Sequence, residues 1–288
     1  MEFVTAPLDW WLDPFTANPF MVSALLGGLL AVAATSVVGT WVVLRGMSFL
    51  GDALAHGVLP GIAIAFIVGV DTTVGALLAA LVMVGGINLI RAHSPLPDDT
   101  SIGVLFVGFL ALAVVILSSN SSSYTGDLNG FLFGSILGID DADLRRQAAA
   151  ASVAIAGVIV FHRALLVATF DETQAKLLGL RPRLAHGVLL VLVAISIVAS
   201  FRAVGNLLVF AFLVAPPATA TLLVRRVTRI MLLSVVLGSV SVVLGLLISF
   251  HHETAPSATM ALAAVAMFLI VLAGASAKNL RGAIRMRS

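Results

Sequence analysis

The chain has 288 residues, 60% of them hydrophobic and only 10% charged, and its mean hydropathy is +1.13. A soluble domain carries roughly 25% charged residues, and a single water-soluble core stops growing near this length, so a soluble enzyme is excluded. Sixteen Lys and Arg against fourteen Asp and Glu leave a formal charge of +2; the bases lie scattered between apolar runs, not in the patch that nucleic-acid binding requires.

A membrane crossing needs about 20 apolar residues, which leaves room for nine or ten spans and no large extramembrane domain. The expectation is an all-α, polytopic helical bundle, one transmembrane domain over residues 1–288. The first stretch, 1–19, holds Glu2, Asp9 and Asp13 but no base. It therefore lacks the basic start of a secretory signal and reads as an external or interfacial segment. There Trp10 and Trp11 are either an interfacial anchor or apolar filler.

Apolar runs follow near 20–44, 52–70, 72–91, 101–119, 147–167, 184–201, 204–224, 229–250 and 257–277. Pro60-Gly61 should bend the second run. Only Val70-Asp71-Thr72 separates the second from the third, so that turn is tight. Pro216-Pro217 removes two backbone donors and should break or kink the seventh; in lipid this is tolerated only where a neighbour or a wet cavity satisfies the freed groups. Nine spans with the N-terminus outside place thirteen of the sixteen bases on the inner side, including Arg45, Arg91, Lys176, Arg181 and Arg183. That bias sets the orientation.

Two connections can carry structure. The outer stretch 118–146 contains the patch Phe131-Leu132-Phe133-Gly134-Ser135-Ile136-Leu137, too short to span and readable as an interfacial or re-entrant helix. The inner stretch 169–183 reads as a short helix, capped by Thr169 or Asp171 and ended by Gly179 and Pro182. It is either a docking element or an amphipathic linker on the membrane.

Ionisable groups inside spans are costly and tend to face a pathway or a partner. Asp52 and His56 are four residues apart and share one helical face. A carboxylate with an imidazole suits a divalent transition ion; alternatively, Asp52 caps the helix start and His56 bonds a neighbouring helix. Asn206 beside Gly205 lines a pathway or bonds a carbonyl. His251, His252 and Glu253 form either an outer metal-entry cluster or a solvated helix end before Pro256. His186 opens the sixth span and is expected to make an interhelical hydrogen bond. The string Ala-His-Gly-Val-Leu occurs at 55–59 and 185–189 with unmatched flanks. The absence of cysteine excludes thiolate ligands. A P-loop needs Gly-Lys-Ser/Thr; the only lysines, Lys176 and Lys278, follow alanines, so this chain cannot hold that ATP site.

At Gly51-Asp52-Ala53-Leu54-Ala55-His56-Gly57-Val58-Leu59-Pro60-Gly61 the chain resembles the permease subunits of bacterial ABC importers for zinc, manganese and iron. The resemblance continues at Ser101-Ile102-Gly103, Asp127-Leu128, Leu132–Leu137, Phe170-Asp171 and Val204–Leu208. It extends through Ala215–Ala220 to Pro256–Thr259, covering about residues 20–275. Asn206 departs from it where an aliphatic residue is common, as does Ala258 in place of a frequent glycine.

The resemblance implies a multi-pass protein of the bacterial cytoplasmic membrane, a homodimeric or pseudo-symmetric permease with a central metal path. Its implied partners are two cytoplasmic ATPases and an extracytoplasmic metal-binding protein. It places Asp52 and His56 on the path, and Phe170, Asp171, Glu172, Ala175, Leu178 and Gly179 against the ATPase. No cofactor is held permanently; the divalent metal is cargo, and the outer histidines favour zinc over manganese or iron. The chain is then a transport subunit, not an enzyme. The alternatives are an ion-coupled secondary transporter working without an ATPase and an intramembrane enzyme. No H-e-x-x-H motif or nucleophile–base pair supports the enzyme.

Overall fold

The structure, a computed structural model, describes residues 7–119 and 138–285; the patch expected at 131–137 lies outside the described residues. Within them the chain forms helices α1 (Pro7–Ala17), α2 (Pro19–Leu44), α3 (Phe49–Gly57), α4 (Leu59–Val68), α5 (Thr72–His93) and α6 (Asp98–Ser119). Then come α7 (Asp141–Phe170), α8 (Glu172–Leu177), α9 (Pro182–Val204), α10 (Asn206–Leu223), α11 (Val227–His252) and α12 (Pro256–Arg285). Eight segments are long and apolar enough to cross a membrane, with α3 and α4 together counting as one. The apolar stretch of α10, Leu207–Leu223, is shorter. These nine match the nine runs expected from the sequence.

Helix α2 is the hub, packed by α7, α9, α10 and α11, while α3 to α6 form a second group beside it. Apolar side chains gain little by leaving lipid for one another, so close packing depends on small residues that let backbones approach. A Cβ on Gly39 of α2 would collide with the Leu213 carbonyl of α10, and Gly61 of α4 and Gly75 of α5 lie against each other's carbonyls. The α4–α5 hairpin is as tight as expected. Gly69 takes a left-handed conformation (φ 75°), and the Asp71 carboxylate accepts from the Thr73 N–H at 2.7 Å.

Pro216-Pro217 does not break its helix: α10 runs from Asn206 to Leu223 with both prolines inside. The two prolines cannot donate to the carbonyls four residues earlier, Phe212 and Leu213. Helix α2 lies against both. Ser36 Oγ donates to the Phe212 carbonyl at 3.3 Å, and the Gly39 backbone lies against that of Leu213. The expected break does not occur, and one of the two freed carbonyls, that of Phe212, is met by a donor from the neighbouring helix. Near Pro60 the second span does change, as α3 gives way to α4 at Val58.

Side-chain contacts sort the helix ends into two sets. At one end Arg45 closing α2 meets Thr169 closing α7 and His186 opening α9, and Arg91 closing α5 meets Asp98 opening α6 and Glu172 of α8. At the other, Trp10 of α1 stacks on His251 closing α11, with centroids 4.4 Å apart. There too Gln147 of α7 donates to the Gly27 carbonyl of α2. The first set holds the basic residues that the sequence assigns to the inner side.

Candidate metal path and coupling surface

From Leu50 to Pro60 the chain is buried except at Asp52, His56 and Leu59, which recur at helical spacing and form one stripe. The polar pair stands on that stripe, 3.6 Å apart between His56 Nε2 and an Asp52 oxygen, with side chains 26% (His56) and 34% (Asp52) exposed. Phe106 of α6 packs edge-on against both His56 and Phe49, centroids 5.9 and 5.4 Å away. Asp52 does not cap α3: the capping position is Ser48, and no side-chain cap bond forms there. A carboxylate and an imidazole are thus held together on the open face of a spanning segment. No group of three or more His, Cys, Asp or Glu side chains that could hold a metal ion converges among the described residues.

The other proposed path and entry residues stand apart from this pair. Asn206 opens α10 directly after Gly205, whose φ of 80° suits glycine; its side chain lies outside the described ones. His251 is half-buried and committed to Trp10 and, through Nδ1, to the Leu247 carbonyl at 2.8 Å. His252 is exposed, and Glu253 ends α11 in a left-handed conformation.

The inner segment folds as expected. Between its two candidate caps, the Asp171 carboxylate accepts from the Gln174 N–H at 2.8 Å, while Thr169 accepts from Arg45 Nε at 2.9 Å. Gly179 turns the chain out at φ 71°, and Pro182 opens the next helix instead of closing this one. Ala175 is buried against the bundle and anchors α8; Phe170 (67%) and Leu178 are exposed, as is Leu177, at 83%. The amphipathic helix therefore presents an apolar edge away from the bundle. Glu172 points the other way, bonded to Arg91 Nη2 at 2.5 Å, and Arg91 Nη1 lies 3.5 Å from Asp98.

Sequence reading missed Leu177, Arg91, Asp98 and the Arg45–Thr169–His186 clamp. Leu177 follows from extending the exposed edge by one residue. The clamp and the Arg91–Glu172 pair are contacts across 81 to 141 positions, for which the sequence carries no local signal, while Arg91–Asp98 spans the short connection between α5 and α6. Arg45 has its pKa pushed below the usual guanidinium value, first by burial and then by Arg91, against which Glu172 and Asp98 act.

A bundle of apolar spans, with a carboxylate–imidazole pair on a partly open face and a short helix on its basic end, is the architecture of a transport permease. The chain matches the model of the ABC 3 transport family over residues 17–275, and it belongs to that family. It is 34% identical over 260 residues to the manganese transport system membrane protein MntC of Listeria innocua, covering 90% of this chain and 92% of the relative. It is 30% identical over 265 residues to a probable iron transport system membrane protein of Haemophilus influenzae, covering 92% and 97%. PsaBC from Streptococcus pneumoniae, solved in complex with Fab, superposes with a TM-score of 0.79 at 32% identity over 91% of this chain and 94% of that one. The chain is a multi-pass membrane permease of a metal ABC transporter, as its sequence resemblance implied.

Proposed function

We propose that this permease imports a divalent transition ion, manganese or iron(II) ahead of zinc, along a path on which Asp52 and His56 are the ligands. The observation that carries the reading is their juxtaposition on the one open stripe of an otherwise buried segment. A carboxylate facing lipid would be costly, so the stripe faces a path or a second copy. Two copies related by a two-fold axis would contribute two carboxylates and two imidazoles. Such a mixed oxygen–nitrogen set suits manganese and iron(II) as well as zinc.

The relatives' names favour manganese or iron. The preference for zinc rested on the outer histidines, of which His251 is already engaged by Trp10 and Leu247. The exposed edge of α8 suits an ATPase partner, and the opposite end of the bundle an extracytoplasmic metal-binding protein. Because the chain has no P-loop, hydrolysis belongs to the separate partner.

The test is uptake into proteoliposomes holding the permease and its ATPase, supplied with the binding protein and with manganese, iron(II) and zinc in competition. ATP-dependent uptake in which manganese or iron(II) outcompetes zinc is expected. Uptake indifferent to ATP would mean secondary transport, and zinc outcompeting both other ions would restore the zinc reading.

A further inference from the structure

A cleft of about 720 Å³ opens at the basic end between α5, α8 and α9. Its polar rim carries Arg91, Lys176, Arg183 and His186, with Glu172 as its only carboxylate. That carboxylate is taken up by Arg91, and no other carboxylate among the described residues lies within ion-pair distance of Lys176 or Arg183. The rim is therefore positive, which disfavours a metal cation there.

His186 adds a second, independent sign. It is 2% exposed, and its Nδ1 lies 3.2 Å from Arg45 Nη1. A guanidinium can only donate, so Nδ1 accepts and the ring proton sits on Nε2. That buried donor has no partner among the described residues, whereas the Arg91 guanidinium is paired with Glu172 and Asp98. One orphaned donor and two bases without a carboxylate at one cleft call for an oxyanion.

The wall of the cleft says which kind. Leu184, Val188, Val191 and Leu192 line it and form one stripe of α9, running about 12 Å inward from the rim at 1.5 Å per residue. A free anion has no use for such a wall, whereas an acyl chain does. Basic pockets between spanning helices on the cytoplasmic side are suited to anionic headgroups.

We propose that this cleft binds an anionic phospholipid from the leaflet at the basic end. Its phosphate is held by Lys176, Arg183 and the His186 Nε2 proton, and an acyl chain lies along the α9 stripe. The lipid would sit directly behind α8, on the side opposite the Phe170–Leu177–Leu178 edge, and brace that helix. The site is independent of which metal is carried.

Native mass spectrometry of the detergent-purified permease–ATPase complex, with phosphatidylglycerol and phosphatidylcholine added in competition, tests the proposal. Wild type should retain phosphatidylglycerol preferentially. Each base near the surface contributes about a fivefold preference, so Lys176→Gln with Arg183→Gln should weaken that retention roughly 25-fold and leave phosphatidylcholine unchanged. Both side chains are exposed, so folding is not at stake. His186→Phe, which removes the donor without altering charge, should also weaken retention. Equal retention of the two lipids, or indifference to the double substitution, would overturn the proposal. So would displacement of phosphatidylglycerol by millimolar inorganic phosphate, since the cleft would then be a free-anion site.

Discussion

The pentapeptide Ala-His-Gly-Val-Leu stands twice in this chain, at 55–59 and 185–189, and the two copies do opposite things. His56 faces a carboxylate one turn earlier in its own helix and is open on one side. His186 faces a guanidinium from another helix and is closed in. In the first setting a carboxylate beside the imidazole makes a field that favours a cation; in the second the ring accepts from a guanidinium in a field that disfavours one. What separates them is the residue four places back, Asp52 in one case and Pro182 in the other, and what the fold brings alongside. An intramembrane histidine acquires its function from its neighbour's charge, not from its local sequence.

The largest expected effect comes from breaking the first setting. Asp52→Ala or His56→Ala leaves one donor per copy, and ATP-driven metal uptake should fall by more than the about 10–100-fold that outer-shell changes alone produce, with assembly intact by size-exclusion chromatography. Unchanged uptake would remove the pair from the path. Breaking the second setting should instead cost stability. His186→Ala leaves Arg45 Nη1 without its acceptor, which should lower unfolding stability by about 1–3 kcal/mol, read by thermal denaturation in detergent, while metal uptake stays within a few-fold of wild type.

A smaller effect is expected where the clamp meets the coupling surface. Glu172→Gln loosens Arg91 from α8; the pair is partly exposed, so stability should change by less than about 1 kcal/mol. The ratio of metal transported to ATP hydrolysed should fall by a few-fold. The smallest change is predicted for His251→Ala. If its stacking on Trp10 is its role, competition between zinc and manganese will be unaltered; a selective loss of zinc uptake would return His251 to the entry route.

How much was legible beforehand follows from how far apart the partners are. The Asp52–His56 pair, the Asp71 turn and the Asp171-capped helix are local, written within three or four residues at helical spacing, and all three could be read directly. The nine apolar segments were legible for the same reason. That α10 runs unbroken through Pro216-Pro217 was not legible, because Ser36, which meets the freed Phe212 carbonyl, stands 176 positions away on α2. The Arg45–His186 and Arg91–Glu172 contacts were invisible because scattered arginines at span ends look alike until the ends are gathered. The stripe at Asp52 showed which residues share a face, but only the fold showed that this face is open while its surroundings are closed.

The central claim is that His56 serves the metal and His186 does not. ATP-driven manganese uptake by proteoliposomes carrying His56→Ala or His186→Ala, assayed side by side at matched protein content, tests it most directly. The account predicts uptake lost in the first and retained in the second. Retention with His56→Ala, or loss with His186→Ala in a stable protein, would contradict it.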